Sequence, residues 1–541
     1  MSKEVFVRKA TGLTRPFGLW DAFILAMGML NMGSGTLLVF STSLAFAPSY
    51  NFILSLLIAM VLNFFVVMTY SMITIAMPRS GGDYVFVSRS INPTLGFANN
   101  FFWTVIAILG IAWNCLFMAS TAISSSLAVG GAVLSSSYMT SLSQVATQPL
   151  WSFLIGAVTM LFIMVLMIVE VKWLKVVNFV AFIIGMITVF TWIAVLAITP
   201  QSTFINSFNS FAQSYTNNPD SYHMIIQTAQ QNGMTISPDW NVVLAGTITT
   251  LPISYFTLGG ANVVNFFSGE IKDVGRTATW ATLIPLFVIT IFTIVLGSVL
   301  FNATGYQFLA SLSYLAFNVP SSYALPTAPY IPLIVDIAAP NIGIVVLTLA
   351  GMICWLYLLA MTFYLVATRN LFAWSYDAVI PTWFSQTHRK YHTPVRSVVT
   401  ITVIAIIGTA FYAWFSLAFS FTNFTTGFNT AWLVACASAA VFPFIRKESF
   451  EALPGFVKGR IGPIPTMTIM GVLGALSVIV MDLFVALNPG YAGIPTNLSS
   501  VSLVILGVIF IIGVIYFFAA KAIQKSRGLD LSLVYKEIPP G

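Results

Sequence analysis

Twelve long apolar runs, separated by short polar connections, leave this chain few ways to fold. They cover approximately residues 17–47, 50–77, 97–128, 151–169, 173–199, 240–268, 279–303, 330–374, 396–420, 424–445, 464–488 and 500–523. A helix crosses the hydrocarbon core with about 20 mostly apolar residues. Lipid offers no partner for an open sheet edge or an irregular backbone. The sequence is 58% hydrophobic and only 7% charged, where a soluble domain carries about 25% charged residues. The reading is an all-α polytopic membrane protein with twelve transmembrane helices in a lipid bilayer. The first run reads as a span rather than a cleaved signal, being too long and lacking a small-residue cleavage site. Cys115, Cys354 and Cys436 lie within apolar runs and point to neither a disulfide framework nor a metal site. His223, His388 and His392 lie in polar connections without companion ligands. No metal and no cofactor is expected.

Twelve spans put both termini on one side, and all 22 Lys and Arg residues then fall on that side. Lys and Arg concentrate in cytoplasmic connections, so both termini read as cytoplasmic and the protein as a multi-pass protein of the plasma membrane. The net charge of +7 reports this topology. It does not suggest nucleic acid as a partner, which would call for a folded basic domain.

Two spans are interrupted by glycine clusters. The first breaks at Asn31-Met32-Gly33-Ser34-Gly35-Thr36 and the sixth at Phe256-Thr257-Leu258-Gly259-Gly260-Ala261. Glycine gives up about 1 kcal/mol of helix preference relative to alanine, so such clusters invite unwinding. Five spans separate the start of one unit from the start of the next. An odd number means that the second unit is inverted in the membrane. Long connections follow span two (78–96) and span seven (304–329) in the same relation. Broken helices in matching places of two inverted halves point to a substrate site between them. Close helix packing through small residues is the other use of glycine here, but Gly-Ser-Gly and Gly-Gly lack the four-residue spacing of that motif.

Several ordered motifs carry a resemblance. Met77-Pro78-Arg79-Ser80-Gly81-Gly82-Asp83-Tyr84 with Gly96-Phe97, then Gly269-Glu270-Ile271-Lys272-Asp273, then Thr368-Arg369-Asn370-Leu371-Phe372-Ala373 with Asp377, Pro381 and Thr393-Pro394, resemble the signatures of the amino acid–polyamine–organocation (APC) permeases. With Gly33-Ser34-Gly35 the resemblance covers roughly residues 15–445. It implies a leucine-transporter-like fold, a 5+5 inverted repeat plus two extra helices, and an amino acid or related amine as substrate. The expected organisation is a cytoplasmic tail at 1–16, a first repeat at 17–199, an extracellular loop at 200–239, a second repeat at 240–445, spans eleven and twelve with their connection at 446–523, and a cytoplasmic tail at 524–541. The chain departs from the family pattern at Val274, where proline often stands, and at Asn262, where some members carry an acid. It also has no lysine midway along span five, the nearest being Lys175.

An α-amino acid presents a carboxylate beside an ammonium, and a broken helix offers both N–H and C=O groups without burying a protein charge. The carboxylate is assigned to the amides of Gly33, Ser34 and Gly35, helped by the hydroxyls of Ser34 and Thr36. The ammonium is assigned to carbonyls near Met32 and at Phe256, Thr257 and Leu258, with Gly259 permitting close approach. The side-chain pocket is expected from Ile106, Ala107, Gly110, Ile111 and Asn114 of span three, opposite Ala261 and Asn262. Asn114 could equally serve a helix–helix hydrogen bond. By resemblance, Phe256 caps the substrate as a gate. Arg79, Arg89 and Arg369 read as residues of the cytoplasmic gate, and Glu270 as a gate residue or the ion-pair partner of Lys272. Asp336 and Asp482, near helix ends, read as solvated. Valine at Gly33 or Gly259 is expected to abolish binding and spare folding.

No acid or base is expected at central depth, and burying an unpaired substrate charge would be costly. Neutral amino acids are therefore favoured, moved by secondary active transport through alternating access. The alternatives are a polyamine or organic-cation permease, or an amino acid exchanger of the same superfamily. A cation could stack on Phe256 or Tyr255. The span-eight stretch 349–361 has no Ser or Thr to ligate sodium, which favours a co-transported proton, with no residue assigned to carry it. No catalytic cluster, Walker loop or channel filter repeat is present, so an enzyme, an ATP-driven pump and a channel are disfavoured.

Overall fold

The computed structural model describes residues 15–388, 393–415, 420–487 and 499–536, with backbone only at 420–425 and 499–502. Lys3, Arg8, Lys9, Arg389, Lys390 and His392 lie outside the described residues. Among the described residues, twelve helices are long and apolar enough to cross a membrane: Leu19–Phe46, Phe52–Ala76, Pro93–Val133, Pro149–Ile168, Val171–Ile198, Trp240–Glu270, Val274–Thr304, Ile342–Tyr376, Val395–Phe415, Thr426–Ile445, Thr466–Leu487 and Leu503–Ser526. They are called spans one to twelve below. Side-chain caps set several of their starts. Asn51 accepts from Leu54 N (3.1 Å) at span two, and Asn92 accepts from Thr94 N (2.8 Å) at span three, just before Pro93. Such caps satisfy N–H groups that a helix start leaves open.

Burial sorts the spans. The apolar window of span one is 89% buried and that of span three 83%, whereas span twelve is 22% buried. The broken first span therefore lies at the centre, and the last lies at the edge. The outer helices turn Phe162, Phe190, Ile407, Phe411 and Ile515 outward, as a lipid-facing surface does.

One end of the bundle gathers both described chain ends and the basic connections. Phe17 pairs in parallel with Ile271, with Lys272 N donating to Phe17 O at 2.9 Å. Lys175 meets Asp21 at 2.8 Å, Arg446 donates to Lys536 O at 3.1 Å, and Gln524 donates to Ala378 O at 2.8 Å. This end is called the basic end. The opposite end is helical where a loop is expected. Residues 201–231 form helices Gln201–Thr216 and Ser221–Gln231. Phe204, Phe208 and Phe211 recur at helical spacing and are buried, with the Phe208 ring 4.7 Å from that of Phe308 in helix Tyr306–Asn318.

Span eight is shorter than its apolar run. Pro340 ends helix Ile331–Ala338, and Asn341 caps a new helix by accepting from Gly343 N at 2.8 Å. The run is therefore two elements. Asp336, expected in solvent, sits on the short helix with 0% exposure, and neither carboxyl oxygen has a hydrogen-bond partner among the described residues. Asp482 is also corrected. It lies within span eleven, reached by the Thr430 hydroxyl at 3.4 Å.

Burial pushes the Asp336 carboxyl up to about 8. An unfolded carboxyl ionises near pH 4, so the penalty for keeping Asp336 neutral is absent below about pH 4 and grows as pH rises toward about 8. Asp336→Asn should melt with wild type at about pH 4 and several degrees higher at about pH 8 in detergent. Parallel melting profiles across that range would contradict the assignment.

Candidate functional site

Span one unwinds where its glycines lie. Its first half is Leu19–Leu30, and its second half resumes as Gly35–Phe40 followed by Thr42–Phe46. Asn31, between them, has φ +51° and ends the first half in the left-handed region that Asn tolerates. Its side chain acts as an internal cap. Ser34 N donates to Asn31 Oδ1 (2.9 Å), Gly35 N donates to Asn31 O (2.8 Å), and Asn31 Nδ2 donates to Trp355 O of span eight (3.3 Å). Span six breaks at Gly259 and Gly260, the latter with φ +109°, and continues as the tight 3₁₀ helix Ala261–Glu270. The two breaks touch, since the Thr257 hydroxyl donates to Gly35 O at 3.1 Å.

A cavity lies at this junction, about 650 Å³ with its open mouth included. Of the residues singled out from sequence, Ser34, Gly35, Phe256, Thr257, Gly259, Gly110 and Asn114 line it. Met32, Gly33, Thr36, Leu258, Ala261, Asn262, Ile106, Ala107 and Ile111 are buried beside it without lining it. Tyr255 is likewise buried outside the lining, its carbonyl held by Asn63 Nδ2 at 3.0 Å. Sequence reasoning missed Met29, Leu30, Asn31, Leu38, Trp113, Leu359, Phe363, Phe428 and Trp432. The last four come from spans eight and ten, and Trp113 stands beside Asn114 on span three. Phe428 stacks with Phe256 (5.9 Å), Phe363 (5.7 Å) and Trp432 (6.0 Å), building an aromatic wall. No charged side chain lines the cavity among the described residues.

The local chemistry differs from the expectation in four ways. The Ser34 and Gly35 amides are already engaged by Asn31, whereas the N–H groups of Met32, Gly33 and Thr36 have no partner among the described residues. The Thr36 hydroxyl donates back to Met32 O (2.9 Å) and Gly33 O (3.3 Å), occupying carbonyls assigned to the ammonium. Phe256 O accepts from Gly259 N at 3.1 Å, while the carbonyls of Thr257, Leu258 and Gly259 accept no hydrogen bond among the described residues. Asn114 donates to Gly110 O of its own helix (2.7 Å), leaving its Oδ1 without a partner.

A model of the family described as amino acid permease matches residues 17–515. The chain belongs to that family, and with it to the APC superfamily. Among curated proteins, none matches the chain. The permease is a membrane-embedded transporter of amino acids or related organic solutes.

At the basic end of the permease, Glu270 does not pair with Lys272, which is exposed. It meets Arg369 of span eight through two parallel hydrogen bonds, Nε to Oε1 at 2.6 Å and Nη2 to Oε2 at 2.7 Å. This is the bidentate geometry that guanidinium favours. Arg89 pairs with Asp377 and stacks on the rings of Tyr84 (5.3 Å) and Tyr535 (4.8 Å). Burial lowers the Arg89 pKa, but Asp377, Tyr84 and Tyr535 together more than offset that and hold it above its ordinary value. Arg79 donates to Pro78 O (2.9 Å), and its own carbonyl accepts from the Ser268 hydroxyl (3.0 Å); burial, and then neighbouring Arg15, pull its pKa down.

Gly33 serves packing. A Cβ there would lie 2.7 Å from Trp355 Cδ1, and one at Gly185 would lie 2.8 Å from Trp355 Nε1, so the indole is wedged between spans one and five. Valine at Gly33 would not spare folding. Overpacking of this kind costs about 1–3 kcal/mol. In the permease, Gly33→Ala should lower the melting temperature, and Trp355→Leu in the same chain should restore part of the loss. Strict additivity of the two losses would contradict the wedge.

Proposed function

We propose that the protein moves neutral amino acids across the plasma membrane by secondary active transport, with alternating access around the two broken spans. The observation that carries this reading is the cavity at the junction of the breaks, walled by aromatic rings and free of charged lining side chains. An isolated charge on a substrate side chain would be desolvated there without a partner, at a cost of several kcal/mol. The α-carboxylate would be met by the Ser34 hydroxyl and the open N–H groups of Gly33 and Thr36. It could also displace Asn31 Oδ1 from the Ser34 amide, which would couple substrate arrival to the Asn31–Trp355 contact. The ammonium would sit toward the open carbonyls of Thr257, Leu258 and Gly259. The segment Gly35–Phe40 is only six residues long, so local N–H groups carry this recognition rather than a helix dipole.

Two inverted five-span repeats with spans eleven and twelve added remain the arrangement that best explains paired breaks in spans one and six. The basic end is taken as cytoplasmic because Lys and Arg gather there. There the Glu270–Arg369 pair and Arg79 would close the inner gate, and Phe256 would close the site from the other side. A proton is favoured over sodium as the coupling ion. The aromatic wall supports a second reading, an organic-cation permease, because such rings attract cations by about 0.5–2 kcal/mol.

The test is uptake into proteoliposomes of labelled leucine, phenylalanine, alanine, lysine, glutamate and putrescine, with and without sodium and proton gradients. Neutral amino acids should dominate. Ser34→Ala should raise the KM about tenfold, the equivalent of one lost hydrogen bond to a charged group. Preferential uptake of putrescine would favour the second reading, and uptake of none of the panel would overturn the proposal.

A further inference from the structure

Span six continues past its break toward the basic end as Ala261–Glu270. The connection from span two folds against this segment. Gly81 N donates to Phe266 O at 2.9 Å, and the Ser268 hydroxyl donates to Arg79 O at 3.0 Å. Gly81 and Gly82 have φ values of +104° and +44°, where side chains are strained. They are also confined in space. A Cβ on Gly82 would lie 2.7 Å from Phe266 Cδ1, and one on Gly81 would lie 2.6 Å from Ala373 Cβ. The turn made by these glycines delivers Asp83 as the first residue of helix Asp83–Ser90.

Asp83 is 0% exposed, and neither of its carboxyl oxygens has a hydrogen-bond partner among the described residues. The other buried acids of this end are matched by cations: Glu270 by Arg369 and Asp377 by Arg89. The titratable groups that face Asp83 are Tyr70 of span two and Cys436 of span ten. The Tyr70 hydroxyl faces both Asp83 and Asn262, and in this geometry it closes a hydrogen bond to neither. Arg89, on the same helix, is committed to Asp377. A carboxylate sealed in this way without a cation is strongly disfavoured, so the sealed state holds the acid form.

We propose that Asp83 is a proton-binding site built into the seam between span six and residues 79–83: the protonated acid lets the seam close, and the ionised acid holds it open. The proposal rests on the reading of this chain as an amino acid transporter. It supplies the titratable group which that reading lacks. On opening, the Gly81–Phe266 and Ser268–Arg79 hydrogen bonds part and water reaches the carboxyl. The O–H bond of Asp83 then breaks, its proton passes to water, and the electron pair remains on the carboxylate. Closing reverses the step, taking one proton back from water of the basic end. Burial pushes the carboxyl up to about 8, within reach of ordinary pH. The Tyr70 hydroxyl closes no bond to the carboxyl in this geometry, but it faces the carboxyl and would donate to the ionised form, which works against that rise.

Two measurements on the full chain test this. The first is difference infrared spectroscopy of purified protein in detergent, following the protonated carboxyl C=O stretch through a pH titration. It needs neither substrate nor transport. In the Asp336→Asn background, which removes the other buried acid that titrates near pH 8, the protein should lose a band with a midpoint near pH 8, Asp83→Asn should remove that band, and Tyr70→Phe should move the midpoint higher. The second is counterflow, in proteoliposomes, of the panel amino acid that wild type takes up best, with pH varied on the side of the basic end. The wild-type rate should follow the same midpoint, and Asp83→Asn should hold its low-pH value throughout, varying by less than about twofold. An infrared titration above about pH 6 that contains no band sensitive to Asp83→Asn would overturn the proposal. So would a wild-type pH profile retained by Asp83→Asn in counterflow. If the infrared band behaves as stated but no amino acid is transported, the transport reading fails and the proton site stands. If Asp83→Asn does not fold, the direction of the Tyr70→Phe shift decides, and an unchanged or lower midpoint overturns the site.

Discussion

Backbone groups released inside a membrane must find partners in the protein, and the centre of this structure is shaped by that constraint. The break in span one frees N–H and C=O groups far from bulk water. Asn31 meets most of the demand with one side chain and one carbonyl, capping Ser34 and Gly35 and tying the break to Trp355 O. Thr36 covers the carbonyls of Met32 and Gly33, and Thr257 reaches across to Gly35 O. The few groups left over, on the Gly33–Thr36 side and at the end of Trp240–Leu258, complement the opposite charges of an amino acid zwitterion. In the proposed reading, recognition is the completion of a hydrogen-bond set that the fold leaves unfinished.

The same economy extends to the packing around the breaks. Gly33 admits Trp355, Gly259 admits Trp432, and Gly110 admits Phe363, each at a distance where a Cβ would press on the ring. Glycines at the breaks and on span three thus let aromatic rings of spans eight and ten approach the cavity. At the basic end, the bidentate Glu270–Arg369 pair ties span six to span eight, and Phe17 ties span one to the end of span six. Removing one member of such a buried pair leaves a stranded charge, typically at 3–5 kcal/mol. These ties would have to move as units if the end opens. Asp83 differs from the acids around it in lacking a cation, which is why its charge state can bear on closure.

Much of the architecture is legible in the sequence because lipid imposes a length and a composition on every span. The breaks are legible because Gly33-Ser34-Gly35 and Gly259-Gly260 stand out in otherwise apolar runs. What sequence could not supply is pairing across long separations. Glu270 has Lys272 two positions away, yet its partner is Arg369, which the fold brings in from span eight. Trp355 and Trp432 look like any aromatic residues of an apolar helix until the breaks are seen against them. Asn31 reads as one more polar residue beside the glycines, and its role as a cap depends on the left-handed turn at its own backbone. Asp336 reads as solvated from its place near a helix end; with the helix ended before Pro340, the short segment is itself buried and takes the acid with it. The helices of 201–231 are carried by the spacing of Phe204, Phe208 and Phe211, a pattern that the polar residues between them hide in the sequence.

The claim at the centre is that backbone groups at the two breaks hold the substrate. A structure of the protein with its transported amino acid bound tests it most directly. The account requires the carboxylate within hydrogen-bond distance of the Ser34 hydroxyl and the Gly33–Thr36 amides, the ammonium at the carbonyls of Thr257, Leu258 and Gly259, and the side chain against Phe256, Phe363 and Phe428. An amino acid held elsewhere, or held at this cavity through side chains with neither break in contact, would contradict it.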